Sequence, residues 1–144
     1  MWIKFKVEDN MAKSYKIFVS HAWDHSDDLT RLRHLLNQRG YFNVEFKEVS
    51  KFEPINSANA PYIKSRLKAK ILESDIVLGL AGVYASHSAW MEWELDAALF
   101  NGIPVIGVIP YGNTRSSNMV TSRSKADVRW NTESIISAIR TYAR

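Results

Sequence analysis

Three short, uninterrupted apolar runs constrain this chain more than any other feature. Ile17-Phe18-Val19, Ile76–Leu80 (IVLGL) and Val105–Ile109 (VIGVI) carry no polar residue at alternate positions. A strand with one wet face alternates apolar and polar side chains. Continuous runs of this length are strands covered on both faces, as in a parallel sheet between two helical layers. The segments between them supply those layers. Asp24-His25-Ser26-Asp27-Asp28 gathers N-cap residues and first-turn carboxylates, Leu29, Leu32 and Leu36 then recur at helical spacing, and Arg39-Gly40 closes the helix. Val44–Val49 alternates with period two, the pattern of a strand near a sheet edge. Ser50–Tyr62 holds two prolines and reads as a long loop, with Pro61 in the first turn of a helix carrying Ile63, Leu67 and Ile71.

After Ile76–Leu80, the small residues of 81–88 read as a loop. Ser88 is placed to cap a helix over Ala89–Phe100, which Asn101-Gly102 ends. Beyond Val105–Ile109, the polar stretch Asn113–Lys125 reads as a mobile loop. Asp127–Trp130 is expected to be a short strand, and Thr132 to cap a last helix with Ile135, Ile136 and Ile139. Alternation of this kind predicts an α/β fold: a flavodoxin-like, three-layer, doubly wound, mostly parallel sheet of about five strands. Residues 1–13 stand apart as an N-terminal extension. Ile3, Phe5 and Val7 alternate with lysines and suit an edge strand, while Met11-Ala-Lys offers an alternative start, so the first ten residues read as dispensable. Residues 14–144 form one domain.

Composition narrows the chemistry. With no cysteine among 144 residues, disulfides, thiolate catalysis and Cys-based zinc sites are excluded. No apolar run approaches the roughly 18 residues of a membrane helix, and MWIKFK lacks the form of a signal peptide. The net charge of +4 sits in the last quarter of the chain, too sparse for a nucleic-acid stripe. The expectation is a cytoplasmic protein without membrane or specific nucleic-acid contacts. His21, Asp24, His25, Asp27 and Asp28 read as helix capping and solvated charge, so no metal is expected. Neither a P-loop, a G-x-G-x-x-G nor a G-x-S-x-G elbow is present.

In an open α/β sheet, ligands bind beyond the carboxyl ends of the strands. Ser20, His21 and Asp24 follow the first strand there, and Tyr84, Ser86, His87 and Ser88 follow the third. The helix after Ser88 is the most informative. With Trp90 at zero, Glu92 and Asp96 fall at about 200° and 240° on a polar face, but Glu94 falls at about 40°, inside the apolar arc. A carboxylate there costs free energy unless it is paired or used.

Ser88-Ala-Trp90-Met-Glu-Trp-Glu94-Leu resembles the W-x-x-x-E element of TIR domains. Tyr15–His21 (YKIFVSH) resembles the first strand of the same superfamily, and Ala81-Gly82 to Ser88 and Ile103–Ile106 resemble its third- and fourth-strand surroundings. The similarity covers residues 14–144 and is nearest to the TIR-like family of the Thoeris antiphage defence system. It implies an enzyme that cleaves NAD, held as substrate with no bound cofactor. Glu94 would be the catalytic carboxylate, and Trp90 would lie beside the nucleotide. Ser20, His21, Asp24, Tyr84 and Ser86 are further substrate-binding candidates by position. The resemblance also implies an ADP-ribose-derived, often cyclic signal that activates a separate effector protein, and self-association. Two departures stand out: Phe52-Glu53-Pro54-Ile55 lacks the R-D-x-x-P-G loop of animal TIR domains, and their late F-W motif is missing. The rival expectation is a non-catalytic TIR-like assembly module. Arg115 and Arg123 are candidates, in a minor reading, for holding the NAD pyrophosphate.

Overall fold

A computed structural model describes residues 13–22, 27–49, 53–110, 112 and 116–144. Five strands appear: β1 (Ser14–Ser20), β2 (Asn43–Lys47), β3 (Ile76–Leu80), β4 (Val105–Ile109) and β5 (Ala126–Arg129). They form one sheet in the order β2-β1-β3-β4-β5, and every pairing is parallel. The expectation of a mostly parallel sheet is thus met by one that is parallel throughout its described strands. The proposed edge strand over Ile3–Val7 and the start at Met11 lie outside the described residues.

The helices are α1 (Asp27–Gln38), α2 (Ala60–Glu73), α3 (Ala89–Phe100), the short α4 (Asn118–Thr121) and α5 (Thr132–Tyr142). Strand parity assigns them to layers. Ile76, Leu78 and Leu80 of β3 face one side, with Ile17 and Val19 of β1, and meet Leu32 and Leu36 of α1 and Ile135, Ile136 and Ile139 of α5. Phe18 and Val77 face the other side and meet Ile63, Leu67 and Ile71 of α2 and Trp90, Met91, Leu95 and Ala98 of α3. Both faces of β3 are therefore dry, which is why its sequence shows no alternation. β2 at the edge keeps its period of two because one side of it is wet.

Three sequence expectations need correction. The 81–88 segment is not plain loop: Val83–His87 form a 3-10 turn. The described part of 113–125 is not a bare polar loop. It carries α4, whose Val120 is fully buried against the sheet with Met119 packed beside it, so two apolar residues organise an otherwise polar stretch. Asn131, not Thr132, caps α5, its side chain accepting the Ser134 amide; Thr132 is already the first helical residue.

Two glycines let the helical layer close on the sheet. Gly79 and Gly107 are register partners on β3 and β4. A Cβ at Gly79 would sit 3.0 Å from Val120 Cγ1 and 3.5 Å from Leu95 Cδ2. At Gly107 it would collide with the Asp127 carboxylate. Bare backbone here allows α3 and α4 to approach more closely than any side chain would permit.

Candidate active site

In the strand order 2-1-3-4-5, the chain leaves β1 toward one edge and β3 toward the other, so a crevice opens between their carboxyl ends. Ser20, the last residue of β1, pairs in register with Gly79. It has the parity of Phe18, so its side chain points toward α2 and α3. There it meets Glu94: Ser20 Oγ donates to Glu94 Oε1 at 2.7 Å. Both residues are 0 % exposed. The apolar arc predicted for Glu94 is real, and its neighbours Trp90, Met91, Leu95 and Ala98 are all buried. Ser88 caps α3 as expected, accepting the Met91 amide at 3.2 Å, and this fixes where the helix starts and hence which turn carries Glu94.

The carboxylate is thus neither solvated nor part of the polar face. Glu92 and Asp96, on that face, are exposed. Burial at this depth requires a donor, and the Ser20 hydroxyl is one. The pair also explains a polar residue at the end of β1, where an apolar one would pack better.

A shallow, half-open hollow also lies at this edge of the sheet, and neither Ser20 nor Glu94 borders it. It is bordered by His21 and Ala22 beyond β1, Leu80 and Gly82 beyond β3, Tyr84 and Ala85 of the 3-10 turn, and Pro110 beyond β4. Asp28, from the first turn of α1, completes it. His21 and Tyr84 both border it, with His21 Nδ1 3.5 Å from the Val19 carbonyl oxygen. Ser86 turns elsewhere, its hydroxyl 2.9 Å from that of buried Ser117. Asp24 lies outside the described residues. No group of three or more His, Cys, Asp or Glu among the described residues is arranged to hold a metal.

Trp90 is 2 % exposed and packs edge-on to Trp93, with ring centroids 6.5 Å apart. Its Nε1 donates to the Glu53 carbonyl at 2.9 Å. The Glu53 carboxylate in turn accepts from Ser57 Oγ at 3.2 Å and Asn59 Nδ2 at 3.0 Å. The segment after β2 is therefore braced within itself and fastened to α3 one turn before Glu94. Sequence reasoning missed Glu53, Ser117 and Asp28 as members of this edge. A proline-flanked acid followed by Ser and Asn four and six residues later was the available signal for the first.

Arg123 is placed away from the hollow. It donates to Asp96 Oδ1 at 2.7 Å and to the Met119 carbonyl at 2.9 Å, and the bond to Asp96 raises its already high pKa. Two residues later the Lys125 amide bonds Val105 at the start of β4, so Arg123 lies toward the amino edge of the sheet, away from the crevice. Arg115 lies outside the described residues.

A family model described as Thoeris protein ThsB, TIR-like domain, matches residues 18–115. No curated protein matches the sequence. Among solved structures, a 2-deoxyribosyltransferase from Bacillus psychrosaccharolyticus superposes with a TM-score of 0.57 at 21 % identity, over 83 % of this chain and 89 % of that one. The Clostridium botulinum CMP N-glycosidase BcmB superposes with a TM-score of 0.52 at 12 % identity, over 87 % and 98 % of the two chains. At such identities these likenesses concern the fold.

Proposed function

The chain belongs to the Thoeris ThsB TIR-like family of antiphage defence, and from that membership we propose that it cleaves NAD at the nicotinamide–ribose bond and releases an ADP-ribose-derived, cyclic signal nucleotide. The single observation that carries the reading is the Glu94–Ser20 pair: a wholly enclosed carboxylate, bonded at 2.7 Å, beneath the crevice where this topology binds ligands. An assembly module has no chemical need for that group at that depth.

Cleavage leaves an oxocarbenium-like ribosyl centre, while the bonding pair stays on the ring nitrogen and neutralises it. Nicotinamide departs without a general acid. What the reaction lacks is negative charge beside the sugar, and a preorganised carboxylate supplies it. Ser20 holds that carboxylate in one rotamer. The ribosyl cation is then captured by an oxygen or ring nitrogen of the same nucleotide, giving a cycle, or by water. Glu94 is enclosed, so in this reading substrate reaches it only when the side chains above it move aside. Activation of a separate effector, self-association and a cytoplasmic setting belong to the same proposal. No helix of the described residues is long and apolar enough to cross a membrane.

The test is chromatography of nucleotides from phage-challenged cells expressing wild type or Glu94→Gln. A new ADP-ribose species confined to the wild type is expected. Protection that persists undiminished in Glu94→Gln, with no such species in either, refutes catalysis and leaves the assembly module.

A further inference from the structure

The outward faces of α2 and α3, neighbours on one side of the sheet, carry opposite charge. α2 holds Lys64, Arg66, Lys68 and Lys70 against Glu73 alone. α3 exposes Glu92 and Asp96 and has no lysine or arginine. Among the described residues no carboxylate pairs with Lys64, Arg66 or Lys68, whereas Lys70 is taken up by Glu73. Arg66 lies over the Tyr62 ring and Lys64 over the Trp93 ring, each at 5.9 Å. Asp96 is bonded to Arg123, but Glu92 forms no ion pair among the described residues. Four large apolar side chains accompany these charges: Tyr62 and Leu72 on α2, Leu99 and Phe100 on α3, with Phe100 92 % exposed. With Tyr62 at zero, Ser65, Ala69 and Leu72 fall at about 300°, 340° and 280°, so small residues keep the outer face of α2 flat between its two large ones. A single exposed apolar residue is ordinary; four of them beside a basic and an acidic stripe mark a contact surface.

We infer that a second copy of this chain docks on this flank, about a twofold axis that lays α2 of each copy on α3 of the other. The inference rests on the self-association proposed above and gives it a surface; it does not depend on NAD cleavage. Both helices return against a parallel sheet, so they run in the same direction. The Lys64–Trp93 contact sets their level: residues 66–68 stand beside 95–97, and Leu72 stands near the level of Leu99 and Phe100. A twofold axis within such a face lies either across the helices or along them. Across, it sets α2 on α2 and α3 on α3, base against base and acid against acid. Along, it sets α2 on α3 in the same direction and at the same level. Arg66 of one copy then reaches Glu92 and Asp96 of the other, and Leu72 meets Leu99 and Phe100. The charge pattern thus selects one arrangement and repels the alternative. Helices of 14 and 12 residues lie side by side. They make a flank roughly 20 Å square. That is the small end of specific interfaces, so the expected affinity is micromolar rather than nanomolar.

The experiment is analytical ultracentrifugation of the full chain from about 1 to 500 µM, where mass action populates a weak dimer. Wild type should show a monomer–dimer equilibrium that weakens severalfold as salt rises from about 0.05 to 0.5 M. Arg66→Glu and Glu92→Arg should each weaken it by about tenfold or more, since symmetry counts every substitution twice. Combined, they exchange the two charges and should restore association to within about threefold of wild type. Phe100→Ser should weaken it about tenfold while leaving the melting temperature unchanged, because the ring is exposed in the single chain. That variant reads the surface even if a charge reversal unfolds the protein. A wild type that stays monomeric throughout gives the flank to some other partner and overturns the inference along with self-association. A dimer that survives all of these variants places the interface elsewhere and overturns the flank alone. So does a double variant weaker than either single one, since Arg66 and Glu92 would then not face each other. The catalytic reading fails separately. Cleavage lost in Glu94→Gln without any dimer sinks only the flank, and a dimer broken by these variants in a protein that never cleaves NAD sinks only the role of Glu94.

Discussion

Removing one oxygen at Ser20 measures how much the buried pair matters. Ser20→Ala deletes the hydroxyl that donates to Glu94 Oε1 at 2.7 Å, and neither group has access to water as a substitute. The smaller side chain clashes with nothing, and the void it leaves is smaller than a water. A hydroxyl donating to a carboxylate contributes roughly 1.5–3 kcal/mol, about twice a neutral pair. For 144 residues the unfolding entropy is about 0.3 kcal/mol/K, so Tm should fall by about 5–10 °C. Urea titration of wild type, Ser20→Ala, Glu94→Gln and the double variant closes a cycle. Glutamine keeps the acceptor but removes the charge, so deleting the hydroxyl in that background should cost about 1 kcal/mol less. The proposed NAD cleavage should fall with Ser20→Ala as well, because the carboxylate is no longer held in one rotamer. A loss below about 0.5 kcal/mol, or single effects that add to within about 0.3 kcal/mol, would show that the pair is not coupled and refute the argument.

Two further substitutions test what brings α3 to the sheet. Gly79→Ala pushes a methyl to 3.0 Å from Val120 and 3.5 Å from Leu95, and such overpacking should cost about 1–3 kcal/mol by urea titration; a stability equal to wild type would mean that α4 yields freely. Trp90→Phe keeps an aromatic ring but removes the donor to the Glu53 carbonyl. Hydrogen exchange at the Ser57 and Ala60 amides, which bond Pro54 and Ser57, should accelerate about 5- to 10-fold for one lost bond, while amides of β3 stay protected; unchanged exchange at 57 and 60 would rule out the fastening role.

Much of the architecture is legible in the sequence, and for identifiable reasons. β3, α3 and β4 fall on their predicted residues because each carries a strong signal: an unbroken apolar run, or a serine cap at one end and Asn-Gly at the other. Glu94 is legible because helical geometry alone puts it in an apolar arc. Its partner is not, since nothing local links Ser20 to a residue 74 positions away. That contact needs the strand parity of β1 and the bare backbone of Gly79. Arg123 shows the opposite failure. Sequence proximity grouped it with a basic stretch, whereas Asp96 holds it on a helix from another part of the chain. Asp28 was legible only as a helix-start acid, because its place at the border of the hollow depends on how α1 meets the strand ends. α4 escaped notice because only two adjacent apolar residues, Met119 and Val120, dock it, too few to show a period.

The two outermost described strands have a bearing on how copies of this protein can come together. β2 leaves Asn43 and Glu45 exposed, with Lys47 bridging Glu45 at 2.8 Å, and β5 leaves Arg129 exposed. Ionic side chains along both rims discourage lateral backbone pairing between neighbours. Strand addition is thus a poor route for one copy to meet another, and each sheet keeps its ribbon of hydrogen bonds to itself.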